Sequence, residues 1–205
     1  VDTDGLMQLW DVKSKQLVWT MEDGESQSTA SSIRFSPDGL SFVTADNDGR
    51  ARLWDVGTRT EVRSYIGHTR SVTSADFSPN GDILATGGLD GTVRLWDVDT
   101  GQELSRITGH VGAVRSVDFS SDGKRLLTSG DDQTARLWDA VTGDEIDQNA
   151  ANPTSLVAAK FEIPDSSSWG ASAVLVRGDG TARLWNTSEE LGYRYFQPTQ
   201  QFYAV

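Results

Sequence analysis

The apolar residues of this chain occur in short alternating runs, and clusters of turn-forming residues separate the runs. Residues 67–108 show the pattern once in full, with strands predicted near Ser71–Phe77, Ile83–Gly87, Thr92–Asp97 and Glu103–Ile107. "SPNG", "GLDG" and "DVDTG" lie between these strands, where proline presets a turn and glycine or asparagine accepts a positive φ. Apolar residues nowhere keep helical spacing over three turns. The sequence therefore predicts an antiparallel meander of four short strands.

The meander recurs along the chain with a nearly fixed period. Five segments that contain Leu-Trp mark the period, and their tryptophans are Trp10, Trp54, Trp96, Trp138 and Trp185. The intervals between them are 44, 42, 42 and 47 residues. A period of this length indicates a repeat architecture, in which one small unit of strands recurs and stacks on its neighbour.

Further motifs recur in phase with the tryptophans. Gly-His occurs at Gly67–His68 and Gly109–His110, turns similar to Phe-Ser-Pro-Asp-Gly begin at Phe35, Phe77 and Phe119, and Trp-Asp begins at Trp10, Trp54, Trp96 and Trp138. With these motifs the chain resembles the WD-repeat β-propeller family over nearly its whole length. The resemblance implies an all-β fold, in which four-stranded antiparallel blades form a ring around a central channel and serve as a scaffold for partners.

The same resemblance divides residues 1–205 into a single arc of about four and a half blades. A half blade is expected at 1–22, full blades at 29–66, 69–108 and 111–148, a divergent blade at 154–196, and a tail or the start of another blade at 197–205. Propellers usually close with about 4 to 8 blades, and the resemblance to this family implies a ring of about seven blades. We therefore expect a fragment of a larger ring, closed by further blades of the same chain, by another chain or by a second copy.

The resemblance also implies a buried hydrogen-bonded tetrad in two of the repeats. The members are His68, Thr86, Asp90 and Trp96 in one repeat, and His110, Thr128, Asp132 and Trp138 in the next. An indole donates, a hydroxyl accepts and donates onward, and a neutral imidazole passes the chain to a carboxylate. The repeat tryptophans are therefore interpreted as packing and tetrad residues, and Trp19 is placed on an outer strand.

Two repeats depart from the tetrad pattern. Ser26 stands at the histidine position of the repeat that ends at Trp54. In the last repeat, Val157 stands at the histidine position and Leu175 replaces the threonine. A buried polar network costs stability unless all its members are satisfied, so we expect these two blades to be less rigid.

Composition narrows the classes of partner. The 205 residues carry a formal net charge of −12, which favours basic partners and disfavours nucleic acids and anionic membranes. The chain has no cysteine, so disulfides and thiolate metal sites are excluded. No apolar run of the given residues approaches the roughly 20 that a membrane helix needs, and the opening residues do not resemble a signal peptide. The cellular location stays open, and a soluble, cytoplasmic one is the favoured expectation.

The sequence offers few candidates for catalytic, cofactor-binding or metal-binding residues. Both histidines of the chain are assigned to tetrads, so no catalytic residue, cofactor or metal site is predicted. The acidic residues at 46–48 and 131–132 lack the 12-residue calcium loop with its final glutamate. A series of arginines two residues before the repeat tryptophans is interpreted as packed stems whose guanidinium groups reach water or a carboxylate: Arg52, Arg94, Arg136 and Arg183.

Two functions fit these features. The first is a non-catalytic scaffold that binds a protein or peptide, with a basic partner favoured, through loops on one propeller face. Candidate contacts flank the tetrad positions or lie in a long polar loop: Asp46, Asn47, Arg70, Leu89, Val111, Asp131 and Trp169. Trp169 alternatively caps the edge of its blade. The second function is a regulatory or sensory propeller domain of a larger multidomain enzyme, whose catalytic part lies outside this segment.

Overall fold

The computed structural model describes residues 7–21, 29–150, 156–161, 172–177 and 182–186. Within these ranges the regular structure consists of seventeen β-strands, arranged in five antiparallel sheets. Strands that are adjacent in a sheet are also consecutive in the chain. The all-β prediction is therefore confirmed, and the described residues include no helix long and apolar enough to cross a membrane.

The strands fall into one hairpin and four blades. The N-terminal hairpin comprises β1 (Met7–Asp11) and β2 (Gln16–Met21). Blade 1 comprises β3 (Ala30–Phe35), β4 (Ser41–Asp46), β5 (Arg50–Asp55) and β6 (Glu61–Ile66). Blade 2 comprises β7 (Val72–Phe77), β8 (Ile83–Gly88), β9 (Thr92–Asp97) and β10 (Glu103–Thr108). Blade 3 comprises β11 (Val114–Phe119), β12 (Arg125–Gly130), β13 (Thr134–Asp139) and β14 (Glu145–Ala150). The described strands of blade 4 are β15 (Leu156–Phe161), β16 (Ser172–Arg177) and β17 (Ala182–Asn186). Each strand predicted within residues 67–108 is confirmed to within one residue at either end.

The position of a strand within its blade determines how deeply it is buried. The second strands, β4, β8 and β12, are buried at every residue after the first, because neighbouring blades cover both of their faces. The fourth strands are more exposed, with half of the residues of β6 and two thirds of those of β10 exposed, and both strands carry charged residues. Charged side chains on an edge strand discourage pairing with another chain.

The hydrophobic core lies between the blades. The core between blades 1 and 2 joins Val43 and Tyr65 of blade 1 to Leu84 and Trp96 of blade 2. The ring of Trp96 lies 5.8 Å from that of Tyr65, measured between centroids. Burying one such large apolar side chain contributes roughly 1.5–3 kcal/mol, so stability comes from stacking blade on blade. Trp138 and Trp185 likewise pack against the preceding blade.

Hydrogen bonds also join the first strands of successive blades. The backbone N–H of Phe119 in blade 3 donates to the Asp76 carboxylate of blade 2, with 2.8 Å between N and O. The backbone N–H of Phe161 donates to Asp118 in the same way, at 2.7 Å. Burial raises the pKa of Asp76, and the N–H of Phe119 partly offsets this effect. These bonds fix the position of each first strand against the next.

Trp10 corrects one prediction about the repeat tryptophans. Its side chain is 52% exposed, and its indole N–H donates to Gln8 at 3.2 Å instead of to a threonine. Among the described residues, the sheet that contains Trp10 consists of β1 and β2 alone. It therefore lacks the neighbouring strand that carries the tetrad threonine in blades 2 and 3. The interpretation of every repeat tryptophan as a buried tetrad residue is therefore wrong at this position. Trp19 lies on β2, half-buried against Phe42.

Candidate functional site

A chain of hydrogen bonds crosses blade 2 from its core to its surface. The indole N–H of Trp96 donates to the Thr86 hydroxyl at 2.8 Å, and that hydroxyl lies 2.9 Å from His68 Nε2. His68 Nδ1 lies 3.0 Å from both carboxylate oxygens of Asp90. Because a carboxylate only accepts, Nδ1 carries the imidazole proton and Nε2 accepts from the threonine hydroxyl. The structure thus brings all four residues of the implied tetrad together.

Blade 3 repeats this arrangement. Trp138 donates to the Thr128 hydroxyl at 2.8 Å, His110 Nε2 lies 2.7 Å from that hydroxyl, and His110 Nδ1 lies 3.0 Å from the Asp132 carboxylate. Both histidine side chains are almost completely buried. Each imidazole therefore uses both of its nitrogens inside the protein, and neither is available as a general base.

Electrostatics favour a neutral imidazole beside an ionised carboxylate. Burial lowers the pKa of His68 and of His110, although the neighbouring aspartate opposes this effect. Burial raises the pKa of Asp90, but hydrogen bonds from the N–H of Thr69, the Thr92 hydroxyl and His68 outweigh it and lower the pKa to about 2. The tetrad aspartate is therefore ionised at neutral pH.

Each tetrad aspartate also holds a surface loop. Asp90 accepts a hydrogen bond from the backbone N–H of Thr69 at 3.0 Å, and Asp132 accepts one from the N–H of Val111 at 2.9 Å. These two donors lie in the loops that lead into the first strands of blades 2 and 3. The buried network thus fixes the position of exposed backbone.

These loops and the turns beside them form one continuous surface, which we call the rim. It comprises the turns at 47–49, 89–91 and 131–133 and the loops at 67–71 and 109–113. Gly49 and Gly91 adopt positive φ, and they lie directly against the next loop. A Cβ atom at Gly49 would lie 3.1 Å from the carbonyl oxygen of Arg70, and one at Gly91 would lie 2.8 Å from that of Gly112. Side chains at these two positions would force the turns away from the loops.

Five of the seven candidate partner contacts lie on the rim. Asn47, Arg70, Val111 and Asp131 are exposed, and Leu89 is half-buried. Val111 is 79% exposed, although it is a β-branched apolar residue. Trp169 lies outside the described residues.

The assignment of Asp46 to this exposed face is wrong. Asp46 is 3% exposed, and its carboxylate accepts hydrogen bonds from the Thr44 hydroxyl at 3.3 Å and from Arg52. Burial raises the pKa of Asp46, and Arg52 partly offsets the increase. The residue ends β4 with its side chain directed inward, so it supports the rim from below.

Asp46 occupies the strand position that glycine occupies in the two blades with a histidine. The equivalent residues are Gly88 and Gly130, each eight residues before the repeat tryptophan. A Cβ atom at Gly88 would lie 2.5 Å from His68 Nδ1, and one at Gly130 would lie 2.5 Å from His110 Nδ1. A side chain at this position and the histidine therefore exclude each other. The sequence signal was the joint replacement of histidine by Ser26, which is outside the described residues, and of glycine by Asp46.

The repeat arginines reach carboxylates on the neighbouring fourth strand. Arg94 pairs with Glu103, Arg136 with Glu145 at 2.7 Å, and Arg52 with Glu61 at 3.6 Å as well as with Asp46 and Asp48. The interpretation of these three arginines as packed side chains that reach a carboxylate is confirmed. The side chain of Arg183 lies outside the described residues.

Sequence reasoning missed an ion pair between Asp131 of the rim and Arg115 of the adjacent strand β11. Arg115 donates to Asp131 through Nε at 2.6 Å and through Nη2 at 2.7 Å, so the two planar groups form a fork. Both side chains are more than two-fifths exposed. Together with Arg70 on the rim and Arg50 beside it, both exposed, this pair gives the surface charges of both signs.

The fold and the tetrads define a class of protein built from repeated, stacked propeller blades. Family models assign that class: "WD domain, G-beta repeat" matches residues 59–97 and 101–139, and "Anaphase-promoting complex subunit 4 WD40 domain" matches residues 7–75. The chain belongs to the WD-repeat family. Repeats of this family generally mediate protein–protein interaction, and they are generally non-catalytic.

A curated protein of several mammals is similar to part of the chain. Pre-mRNA-processing factor 19 of Homo sapiens, Mus musculus and Bos taurus is 31% identical over 64 residues. The aligned segment covers 31% of this chain and 13% of each relative. The similarity thus concerns a small part of each relative's length.

Proposed function

We propose that this chain is a non-catalytic scaffold that binds a protein or peptide partner on the rim. The observation that carries the proposal is the link between the tetrads and the rim loops. Asp90 and Asp132 hold the backbone of Thr69 and Val111 through buried, fully used hydrogen-bond networks. A surface that is fixed before binding loses less conformational entropy when a partner docks.

The composition of the rim supports the same function. An exposed apolar residue, Val111, lies among polar groups that can donate and accept hydrogen bonds, which is a mixture typical of protein interfaces. The tetrad histidines have no nitrogen left for catalysis. The net charge of −12 favours association with basic partners, because long-range attraction raises the rate of encounter.

The experiment compares two exposed valines on opposite faces. Val111 lies on the rim, and Val141 lies in the turn between β13 and β14 at the other end of blade 3, 84% exposed. The wild type, V111E and V141E would be immobilised and used to capture proteins from an extract of the source organism. We expect V111E to lose partners that V141E retains, because a charge on the rim disrupts the apolar contact. Loss with V141E and retention with V111E would place the interface on the opposite face.

A further inference from the structure

The turn between β7 and β8 contains the one Asn-Gly pair of the sequence, at Asn80 and Gly81. Asn80 is exposed, and its turn lies at the end of blade 2 opposite the rim. Because glycine has no Cβ atom, its backbone nitrogen is open to approach by a neighbouring carbonyl group. The carboxamide of an asparagine that precedes glycine can therefore be attacked by the next backbone nitrogen.

Hydrogen bonds hold both reacting groups apart in the closed turn. The backbone N–H of Gly81 donates to the carbonyl oxygen of Ser78 at 2.9 Å. The carboxamide oxygen of Asn80 accepts from the buried Ser78 hydroxyl at 2.7 Å, and its Nδ2 donates to the Asp82 carboxylate at 2.8 Å. The Ser78 hydroxyl oxygen also accepts from the backbone N–H of Ile83 at 2.9 Å, which ties the turn to the start of β8. The attack must therefore wait until the turn opens locally.

Blades 1 and 3 carry aspartate where blade 2 carries Asn80. The carboxylate of Asp38 accepts from the Ser36 hydroxyl at 2.6 Å, and that of Asp122 accepts from the Ser120 hydroxyl at 2.6 Å. The bond from the serine, together with one from a backbone N–H, lowers the pKa of each carboxyl group. An ionised aspartate therefore fits this kind of turn.

We propose that Asn80 is a site of spontaneous deamidation and that the opening of its turn sets the rate. In the open turn the backbone nitrogen of Gly81 attacks Cγ of Asn80. A bond forms between these two atoms, the bond from Cγ to Nδ2 breaks, and ammonia leaves with the amide proton. Water then opens the resulting cyclic imide at either carbonyl group, which leaves aspartate or isoaspartate at residue 80. The reaction needs no reagent besides water, and it is independent of partner binding on the rim.

Deamidation to aspartate changes the charge of the face opposite the rim. The new carboxylate would accept from Ser78 as Asp38 accepts from Ser36, but it would lie beside Asp82, to which Asn80 now donates. Like charges at one site repel each other. Blades 1 and 3 avoid this conflict, because the residue equivalent to Asp82 is leucine in blade 1 and lysine in blade 3.

Deamidation to isoaspartate changes the turn itself, because an additional backbone atom lengthens the path from β7 to β8. Neighbouring turns pack on both sides of this one. A Cβ atom at Gly81 would lie 3.7 Å from Pro37 of blade 1, and one at Gly123 of blade 3 would lie 3.3 Å from Pro79. A longer turn would press against both neighbours, so this product alters the shape of the face.

The test measures conversion at residue 80 by mass spectrometry of proteolytic peptides, for the folded protein and for the chain unfolded in urea. We expect conversion to be about tenfold slower or more in the folded protein, because the turn must open first. S78A removes the hydroxyl that holds the carboxamide, so it should accelerate conversion in the folded protein about fivefold, the effect of roughly one hydrogen bond. S120A is the matched control, because it removes the equivalent hydroxyl of blade 3 and leaves the turn of Asn80 intact.

A second variant keeps the inference testable if S78A does not fold. D82L removes the acceptor of the Asn80 amide at an exposed position, so it should also accelerate conversion. Equal rates in the folded protein and in urea would overturn the inference. Equal acceleration by S78A and S120A would assign the rate to unfolding of whole blades and overturn the role of the turn. Absence of conversion in folded S78A and D82L, while the unfolded chain converts, would exclude Asn80 as a site in the folded protein.

Discussion

The mutual exclusion of His68 and a side chain at residue 88 can be measured as a coupling energy. The backbone of Gly88 is not left-handed, so its conformation accepts alanine. The obstacle is the imidazole, because a Cβ atom would lie 2.5 Å from His68 Nδ1 and 2.8 Å from the Asp90 carboxylate. Contacts this short force neighbouring atoms to move. We therefore predict that G88A is destabilising in the presence of His68 and much less so in its absence.

The expected changes in the free energy of unfolding follow from what each single substitution does to the folded protein. G88A overpacks a buried strand, which costs about 1–3 kcal/mol in the free energy of unfolding. H68A removes the acceptor of the Thr86 hydroxyl proton and one donor to the Asp90 carboxylate, which also costs about 1–3 kcal/mol. In the double variant, the methyl group that G88A introduces enters space vacated by the imidazole. The double variant should therefore be about as stable as H68A, with a coupling energy of about 1–3 kcal/mol.

The assay is equilibrium unfolding in urea, followed by tryptophan fluorescence, for the wild type, both single variants and the double variant. Gly87 supplies the control, because its Cβ would lie 2.7 Å from Val114 in the next blade and not against the imidazole. H68A and G87A should therefore add to within about 0.5 kcal/mol. Additive effects of H68A and G88A would refute the reasoning and remove the steric explanation for Asp46.

Three further predictions concern charge and buried hydrogen bonds. Burial lowers the pKa of His68 and His110 in the folded protein, so the unfolded chain binds protons first as the pH falls below about 6.5. The urea midpoint should therefore decrease from there towards pH 5, and a variant with both histidines replaced by glutamine should lose that decrease. D46K should cost about 3 kcal/mol, because it breaks a buried ion pair, whereas N47K should leave the melting temperature nearly unchanged; equal melting temperatures would contradict the burial of Asp46. D76A should cost about 1–3 kcal/mol in urea unfolding, because it leaves the backbone N–H of Phe119 without an acceptor, and wild-type stability would show that this bond contributes nothing.

Local turn chemistry explains why the strands could be predicted so closely from the sequence. Proline, glycine and asparagine end each strand for steric reasons that act within a few residues, and the bounds of β7–β10 followed from them. The partners within the tetrads were implied by resemblance, since residues 18 and 22 positions apart meet only through sheet pairing. Distance along the chain thus limits what a local pattern predicts.

The features that the sequence analysis did not predict depend on contacts between distant segments, or on a sequence pattern that was overlooked. The inward direction of Asp46 depends on the absence of a histidine from its blade, and the solvent exposure of Trp10 depends on the strands beside it. The fork between Arg115 and Asp131 joins a first strand to a distant turn. The replacement of a turn glycine by Gln133 was visible in the sequence, but its left-handed backbone became evident only in the structure.

The bonds between first strands affect how freely blades can be exchanged during evolution. Asp76 and Asp118 bind backbone N–H groups, which every strand offers whatever its side chains. A duplicated or transplanted blade that carries such an aspartate can therefore form this bond with a new neighbour without a matching mutation. Blade 1 has Arg34 at the equivalent position, and its guanidinium lies 3.6 Å from the Asp76 carboxylate. At that junction the contact depends on the identity of both side chains, so exchanging either blade would lose it unless the new neighbour supplied the matching residue.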